Sequence, residues 1–345
     1  LIYQKIIRPL LFRLPPERVH RGTLGLLAAV GGIKLSASLI ESAFHPRTQT
    51  PVTVFGLTFN NQVGLAAGYD KDALAISGLA ALGFGHIEVG TVTPEPQTGN
   101  PGPRVFRLPQ DEAIINWMGF PSHGAQAVAR RLSRLDKPDD LILGVNLGKN
   151  KATPLETAHR DYQVLVDTFA PLADYLAINI SSPNTVGLRE LQHREFLAGL
   201  LEKITESRSR QQEKLGKRVP LLVKLAPDLD DHELAQMIDA CLGHQIDGVI
   251  ATNTTIAREN LSSKSRLETG GLSGKPLQER STEVIRLISN QAGDTLPIIG
   301  VGGIANPEDA AEKLEAGASL VQLFTGMIYN GPGIIKKIIE NIGQS

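Results

Sequence analysis

The sequence predicts an α/β protein: a (β/α)8 TIM barrel preceded by an α-helical extension. Apolar runs of strand length recur eight times after residue 50, nearly all followed by a helical stretch. The runs are rich in β-branched residues and do not alternate polar with apolar, which is the pattern of parallel strands covered on both faces. Eight such units within residues 50–345 suit a closed barrel better than an open sheet, which usually has fewer strands.

Residues 1–44 read as short amphipathic helices. Ile6, Ile7, Leu10, Leu11 and Leu14 recur at helical spacing beside Lys5, Arg8 and Arg13, until Pro15-Pro16 interrupts them. A second apolar stretch, 24–33, is interrupted by Gly25, Gly31 and Gly32. It is shorter than the roughly 20 apolar residues of a bilayer span and lacks a signal-peptide cleavage pattern. The segment either packs on the main domain or lies in a membrane interface with its apolar side inward. Composition leaves both open.

The body, residues 45–345, begins with a hairpin at 52–55 and 57–59 joined at Gly56. Barrel strands are expected at 62–66, 86–91, 141–147, 175–180, 221–225, 248–253, 297–301 and 320–324. Helices are expected near 71–82, 122–135, 155–169, 194–214, 231–242, 276–291, 307–316 and 332–342. No Pro- or Ser-rich linker divides this region, so it reads as one domain. The connections 94–122 and 254–275 are too long for turns, and structureless loops of that length are usually lids or binding loops.

The composition, 41% hydrophobic and 21% charged in 345 residues, is that of an ordinary globular protein. A net charge of −1 gives no footprint for nucleic acid, but the charge is uneven. Residues 1–47 carry seven Lys or Arg against two Asp or Glu, a basic extension on an acidic body. Cys241 is the only cysteine, so there is no disulfide framework and a reducing compartment is expected. The eight histidines show no metal-ligand spacing, and no metal is expected. Two glycosylation sequons, at Asn179 and Asn253, read as chance matches in such a chain.

The strand ends carry the chemistry. They read Ala67-Gly68 with Lys71, then Thr91, Asn146, Asn179, Lys224, Thr252-Asn253, Gly302-Gly303 and Thr325-Gly326. Polar residues and glycine end strands routinely. A full ring of them at the C-terminal face, where barrel active sites form, reads as a site. Gly302-Gly303 and Thr325-Gly326 follow the seventh and eighth strands, where barrels commonly bind phosphate on backbone N–H groups. Gly270 to Gly274 reads as flexible backbone nearby. Lys224, flanked by apolar strand, calls for an anion, because desolvating an unpaired ammonium is costly. In 179–185, Asn-Ile-Ser-Ser-Pro-Asn-Thr, two carboxamides and two hydroxyls are displayed where Pro183 ends a strand.

The motifs AAGYDK at 66–71, NWMGF at 116–120, NISSPNT at 179–185, VKLAPD at 223–228, ATNTT at 251–255, GGLSGKPL at 270–277 and VGGI at 301–304 together resemble the dihydroorotate dehydrogenase family. The basic extension and the serine after the fourth strand make the chain similar to its quinone-dependent, membrane-associated class. The resemblance implies a flavin cofactor, FMN, held by Ala67, Gly68, Thr91, Asn146, Asn179, Lys224, Thr252, Gly274, Gly302, Gly303, Phe324 and Thr325. It implies dihydroorotate and orotate held by Lys71, Asn116, Trp117, Met118, Gly119, Phe120, Asn184, Asn253 and Thr254. A planar, anionic, amide-bearing ring suits carboxamides plus a cation. Ser182 matches the family's catalytic base, with Thr185 and Phe120 shaping the proton's exit. His20, Arg21 and Arg107 match a quinone entrance, and a membrane quinone is the implied partner. The implied location is peripheral, on the cytoplasmic face of a bacterial-type cell membrane.

Two positions depart from the pattern. Trp117 stands where arginine or histidine is expected, and Phe324 where the animal enzymes have tyrosine. Alternatives fit less well. A 2-hydroxy-acid oxidase needs a histidine base at a strand end, and none occurs. A cysteine-based soluble class would need Cys241 near Ser182, whereas it falls inside a predicted helix. A phosphate-binding barrel without chemistry would purify colourless.

Overall fold

A computed structural model describes residues 2–47 and 49–343. Leu1, Thr48 and residues 344–345 lie outside the described residues, and with them the outer ends of the expected segments 1–44 and 45–345. A hairpin, β1 (Val52–Val54) and β2 (Leu57–Phe59), precedes the barrel. The barrel strands are β3 (Val63–Leu65), β4 (His86–Val92), β7 (Ile142–Leu147), β8 (Tyr175–Asn179), β9 (Leu221–Leu225), β10 (Gly248–Ala251), β12 (Ile298–Val301) and β13 (Leu320–Leu323). They close in that order, with every neighbouring pair parallel. All eight expected strands are present, and the register sets site residues side by side. Gly90 faces Asn146, and Asn179 faces Lys224.

The inner core is apolar at the lower end of the barrel. Phe59 of the hairpin packs there with Ile142, Ala177, Leu222, Ile250, Ile299 and Leu320. His86 stands among them with no solvent exposure, its ring edge-on to Phe59 at 5.4 Å and neither ring nitrogen hydrogen-bonded among the described residues. Its ring fills the space above Gly64, where a Cβ would lie 2.1 Å from Nε2. Burial pushes the His86 pKa down from 6.5 to about 3, so the unfolded chain takes up a proton that the folded one refuses. Stability is therefore full above pH 6.5 and falls as pH drops toward about 3. The slope from this group is at most about 1.4 kcal/mol per pH unit. Replacing His86 with Phe should flatten the acid limb of a stability-against-pH curve measured by urea unfolding; an unchanged limb would show that His86 is not its cause.

Both long connections contradict the expectation of structureless loops. The first forms β5 (Val105–Leu108) and β6 (Ala113–Asn116), and the second forms β11 (Gly271–Gly274). These three make an antiparallel sheet with β6 in the centre. The 270–274 segment is thus a paired strand, not flexible backbone. Its glycines serve close approach: a Cβ on Gly271 would lie 1.9 Å from Thr254 Oγ1, and one on Gly274 2.4 Å from the Glu112 carbonyl oxygen.

The helix expected at 71–82 shrinks to α4 (Ile76–Ala80). The Asp70 carboxylate accepts from the N–H groups of Leu74 and Ala75, and Ala73 has φ +58°, so the chain stays irregular until residue 75. The other body helices are α5 (Ala125–Leu132), α6 (Ala158–Phe169), α7 (Arg194–Leu215), α8 (Asp231–Gly243), α9 (Gln278–Ala292), α10 (Pro307–Glu315) and α12 (Gly333–Ile342). A short α11 (Thr325–Asn330), unforeseen, follows the last strand.

The extension forms α1 (Arg8–Phe12), α2 (Pro16–Gly31) and α3 (Lys34–Phe44). Gly25 does not interrupt α2, because burial of its apolar face outweighs the modest helix penalty of glycine. Gly31 instead permits a backbone crossing with α4: a Cβ there would lie 2.3 Å from Gly78 N, and one on Gly78 2.1 Å from the Leu27 carbonyl oxygen. Leu24 is buried at this contact, while Leu10, Leu14, Leu26, Ile33, Leu35 and Leu39 are exposed. The extension therefore packs on the barrel with one face and leaves a second apolar face open. No single helix among the described residues is long and apolar enough to cross a membrane; only α2 and α3 together reach that length, bent by 112°.

Candidate active site

The strand C-terminal ends, the antiparallel sheet and α2 enclose one cavity of about 420 Å³. Of the residues expected in the site, Ala67, Gly68, Lys71, Thr91, Asn116, Met118, Gly119, Phe120, Asn179, Ser182, Asn184, Lys224, Thr252, Asn253, Thr254, Gly274, Gly302, Gly303, Phe324 and Thr325 line it. His20 and Arg107 line the same cavity from the extension side. Asn146, Thr185, Trp117 and Arg21 do not appear in its wall.

The floor holds a network that sequence reasoning missed. Glu88, fully buried in β4, accepts from Asn146 Nδ2 at 2.8 Å, Gln322 Nε2 at 3.0 Å and Tyr175 OH at 3.1 Å. Lys224 Nζ lies 3.6 Å from the same carboxylate, so Glu88 is an anion the buried lysine faces. The signal was available: a lone carboxylate inside His-Ile-Glu-Val-Gly is as costly to bury unpaired as a lone lysine. Asn146 belongs to this layer, below the cavity surface.

Above it the amides interlock. Asn146 Oδ1 accepts from Thr91 Oγ1 at 2.5 Å and from Asn179 Nδ2 at 3.0 Å. Asn253 Nδ2 donates to Asn179 Oδ1 at 3.2 Å and to Ser181 Oγ at 3.0 Å. Asn184 Nδ2 donates to Asn116 Oδ1 at 3.0 Å, and Asn100 Nδ2 holds the Asn184 carbonyl at 3.0 Å. Such mutual bonds fix each carboxamide's orientation before any ligand arrives. Three buried oxygens keep no partner among the described residues: Asn184 Oδ1, Thr185 Oγ1 and Gln322 Oε1. Two of these residues, Asn184 and Gln322, line the cavity.

Ser182 is 5% exposed, and its Oγ accepts from the Asn184 N–H at 3.3 Å. That bond orients the hydroxyl and leaves its own proton free to transfer. Lys71 lines the cavity and donates to the Gly68 carbonyl. Burial pushes its pKa down to about 8. Trp117 is not in the cavity wall, and its N–H donates to the Arg104 carbonyl at 2.7 Å.

Opposite Ser182, Gly302 and Gly303 have φ of +127° and +77°. A Cβ on Gly303 would lie 2.5 Å from Gln278 Cα, so only glycine fits the loop against α9. With Thr325 and Gly326 opening α11, this makes a backbone cradle suited to an anion, as expected from sequence. The polar set thus fits a planar group bearing amides and a phosphate.

At the extension end, His20 Nε2 lies 2.7 Å from the Tyr69 carbonyl and must be the protonated nitrogen. Burial holds the His20 pKa down at about 4, so the ring is neutral and its other nitrogen is an acceptor. Its one N–H is thus already engaged by the Tyr69 carbonyl and is not free to donate to a quinone oxygen. Arg107 stacks 4.6 Å over the Phe12 ring and donates to the Leu14 carbonyl at 2.9 Å, tying α1 to β5. Phe324 meets Tyr69 edge-on at 5.9 Å. Arg21 is exposed and points a cation to solvent, not to the cavity. Cys241 is buried in α8, its pKa pushed up to about 12, and takes no part. No group of three or more metal-ligating side chains occurs among the described residues.

Comparison with known proteins places this geometry. The family model described as dihydroorotate dehydrogenase matches residues 50–345. A protein of Christiangramia forsetii named dihydroorotate dehydrogenase (quinone) is 50% identical over 342 residues, covering 99% of this chain and 98% of its own. One of Marinomonas sp. with the same name is 50% identical over 341 residues, covering 99% and 96%. The solved structure of DHODH from Eimeria tenella in complex with ferulenol superimposes with a TM-score of 0.86 at 40% identity, over 95% of this chain and 90% of that one. The family match spans the whole barrel and the relatives span the extension as well; the chain belongs to the dihydroorotate dehydrogenase family.

Proposed function

We propose that this chain oxidises dihydroorotate to orotate, with FMN in the cavity and a membrane quinone as the final electron acceptor. The observation that carries the reading is a single cavity that joins Ser182, the carboxamide set and the Gly302-Gly303 cradle to the apolar extension. The residues suit FMN: the cradle takes a phosphate, and Lys224, Asn179, Thr252 and the unpartnered Gln322 oxygen are available to the ring. When bound, FMN supplies a ring that accepts a hydride and later releases two electrons.

The chain's own residues do the rest. Lys71 faces the substrate carboxylate, and Asn116, Asn184 and Asn253 hold the amide edges of its ring. Ser182 removes the proton from C5 while the hydride leaves C6. A serine is a weak base, so its own proton must move on; Thr185 Oγ1, buried and unpartnered, is the acceptor available next in the chain. Gly119 and Phe120, both at positive φ, line the same cavity.

The extension serves as anchor and quinone passage, which makes the protein peripheral on the cytoplasmic face of the cell membrane. An apolar face with excess positive charge binds an anionic bilayer, and the acidic body does not. The test compares the full chain with one lacking residues 1–44, using dihydroorotate and a long-chain quinone, fumarate or NAD. The full chain should reduce quinone alone. The shortened chain should keep flavin reduction by dihydroorotate within a few-fold, while long-chain quinone reduction and liposome binding fall at least tenfold. Fumarate or NAD serving equally well would overturn the acceptor, and a soluble shortened chain at full quinone rate would overturn the passage.

A further inference from the structure

Lys313, in α10, has no solvent exposure and is not part of the cavity wall. Its ammonium has three protons and three neutral acceptors: Ser281 Oγ at 2.7 Å, Thr282 Oγ1 at 2.8 Å and the Gln278 carbonyl at 3.2 Å. All three belong to the first turns of α9. The carboxylates that act on it, Asp309 and Glu312, do so through space and are themselves bonded to Gln278 Nε2, at 2.9 and 3.0 Å. Folding alone does not require an ammonium here, because an apolar side chain of similar volume avoids its desolvation.

The place of this charge is informative. Ser281 Oγ also lies 3.0 Å from the Gly302 carbonyl. A Cβ on Gly300 would lie 3.4 Å from Lys313 Cβ, and one on Gly303 would strike Gln278. The ammonium thus stands directly behind the Gly302-Gly303 loop, separated from the cradle by one layer of α9.

We infer that Lys313 is a positioning residue for the cofactor phosphate, a buried cation that acts through Ser281 and the Gly302-Gly303 loop without touching the anion. The inference rests on the reading of this cavity as an FMN site. In a low-dielectric interior the field of a buried ammonium with only neutral hydrogen-bond partners reaches across such a layer, opposed in part by Asp309 and Glu312, and it stabilises the phosphate while the loop supplies the direct bonds. A flavin without the phosphate brings no such anion and gains little.

The experiment strips the full-length chain of flavin and titrates it with FMN and with riboflavin, which has the same ring and no phosphate. Lys313→Met should weaken FMN at least about tenfold and change riboflavin by less than about twofold. Lys313→Gln, which can keep the hydrogen bonds to Ser281 and Thr282, should show the same selective loss. Equal weakening of both flavins, or no loss for FMN, overturns the inference. Failure of both variants to fold also overturns it, in favour of a purely structural lysine. A wild-type chain that binds neither flavin removes the functional reading itself, and this inference with it.

Discussion

Ser182→Ala should keep its flavin and bind orotate, yet its flavin should bleach with dihydroorotate roughly 10²–10⁴ times more slowly than in the wild type. The hydroxyl is held by the Asn184 N–H and has no bond to the cradle, so its loss leaves the cofactor region untouched. What is lost is the group that takes the C5 proton, an interaction made only in the transition state. The measurement is single-turnover bleaching of the flavin absorbance after rapid mixing. Bleaching at the wild-type rate would eliminate Ser182 as the base. A pH series separates two roles. The wild-type rate constant should rise with pH as proton removal becomes easier. Lys71, brought down to about 8 by burial, loses its charge above that pH in the free enzyme, so KM should rise there. Ser182→Ala should lose the first trend and keep the second.

Gly303→Val should yield folded, colourless protein. Gly303 has φ +77°, a region a β-branched residue enters at a cost of roughly 1–3 kcal/mol. Its Cβ would also lie 2.5 Å from Gln278 Cα, which is helix backbone and cannot swing aside. The loop must move, and the backbone donors move with it. FMN affinity should fall about 100-fold or more, as expected when two or more phosphate hydrogen bonds are displaced. Flavin content per protein after gel filtration, with thermal unfolding as the check on folding, reads the result. Full flavin content in a folded variant would move the phosphate elsewhere.

These residues were legible before any coordinates because each obeys a local rule. Gly302-Gly303 ends an apolar run, and Asn179 to Thr185 follows one with a proline that stops it. Lys224, flanked by apolar strand, calls for an anion, and the structure supplies Glu88. Glu88, Tyr175 and Gln322 carry no local mark of which way they point inside their strands, because a side chain's inward or outward direction depends on barrel closure. The antiparallel sheet of β5, β6 and β11 was illegible for a different reason. Its strands come from connections 94–122 and 254–275, far apart in sequence, and Ala113 to Asn116 pairs with Gly271 to Gly274 only once the barrel brings them together.

By itself the sequence determined the barrel, its eight strands, the ring of polar strand ends and the family motifs, since all of these follow from spacing along the chain. Tertiary structure alone decided which face of α2 is buried, how Gly31 and Gly78 cross, and that His20 is neutral with its proton committed to Tyr69. It also separated His20 and Arg107, which reach the cavity, from Arg21, which does not. These outcomes depend on desolvation and on contacts between residues distant in sequence, and no local pattern records either.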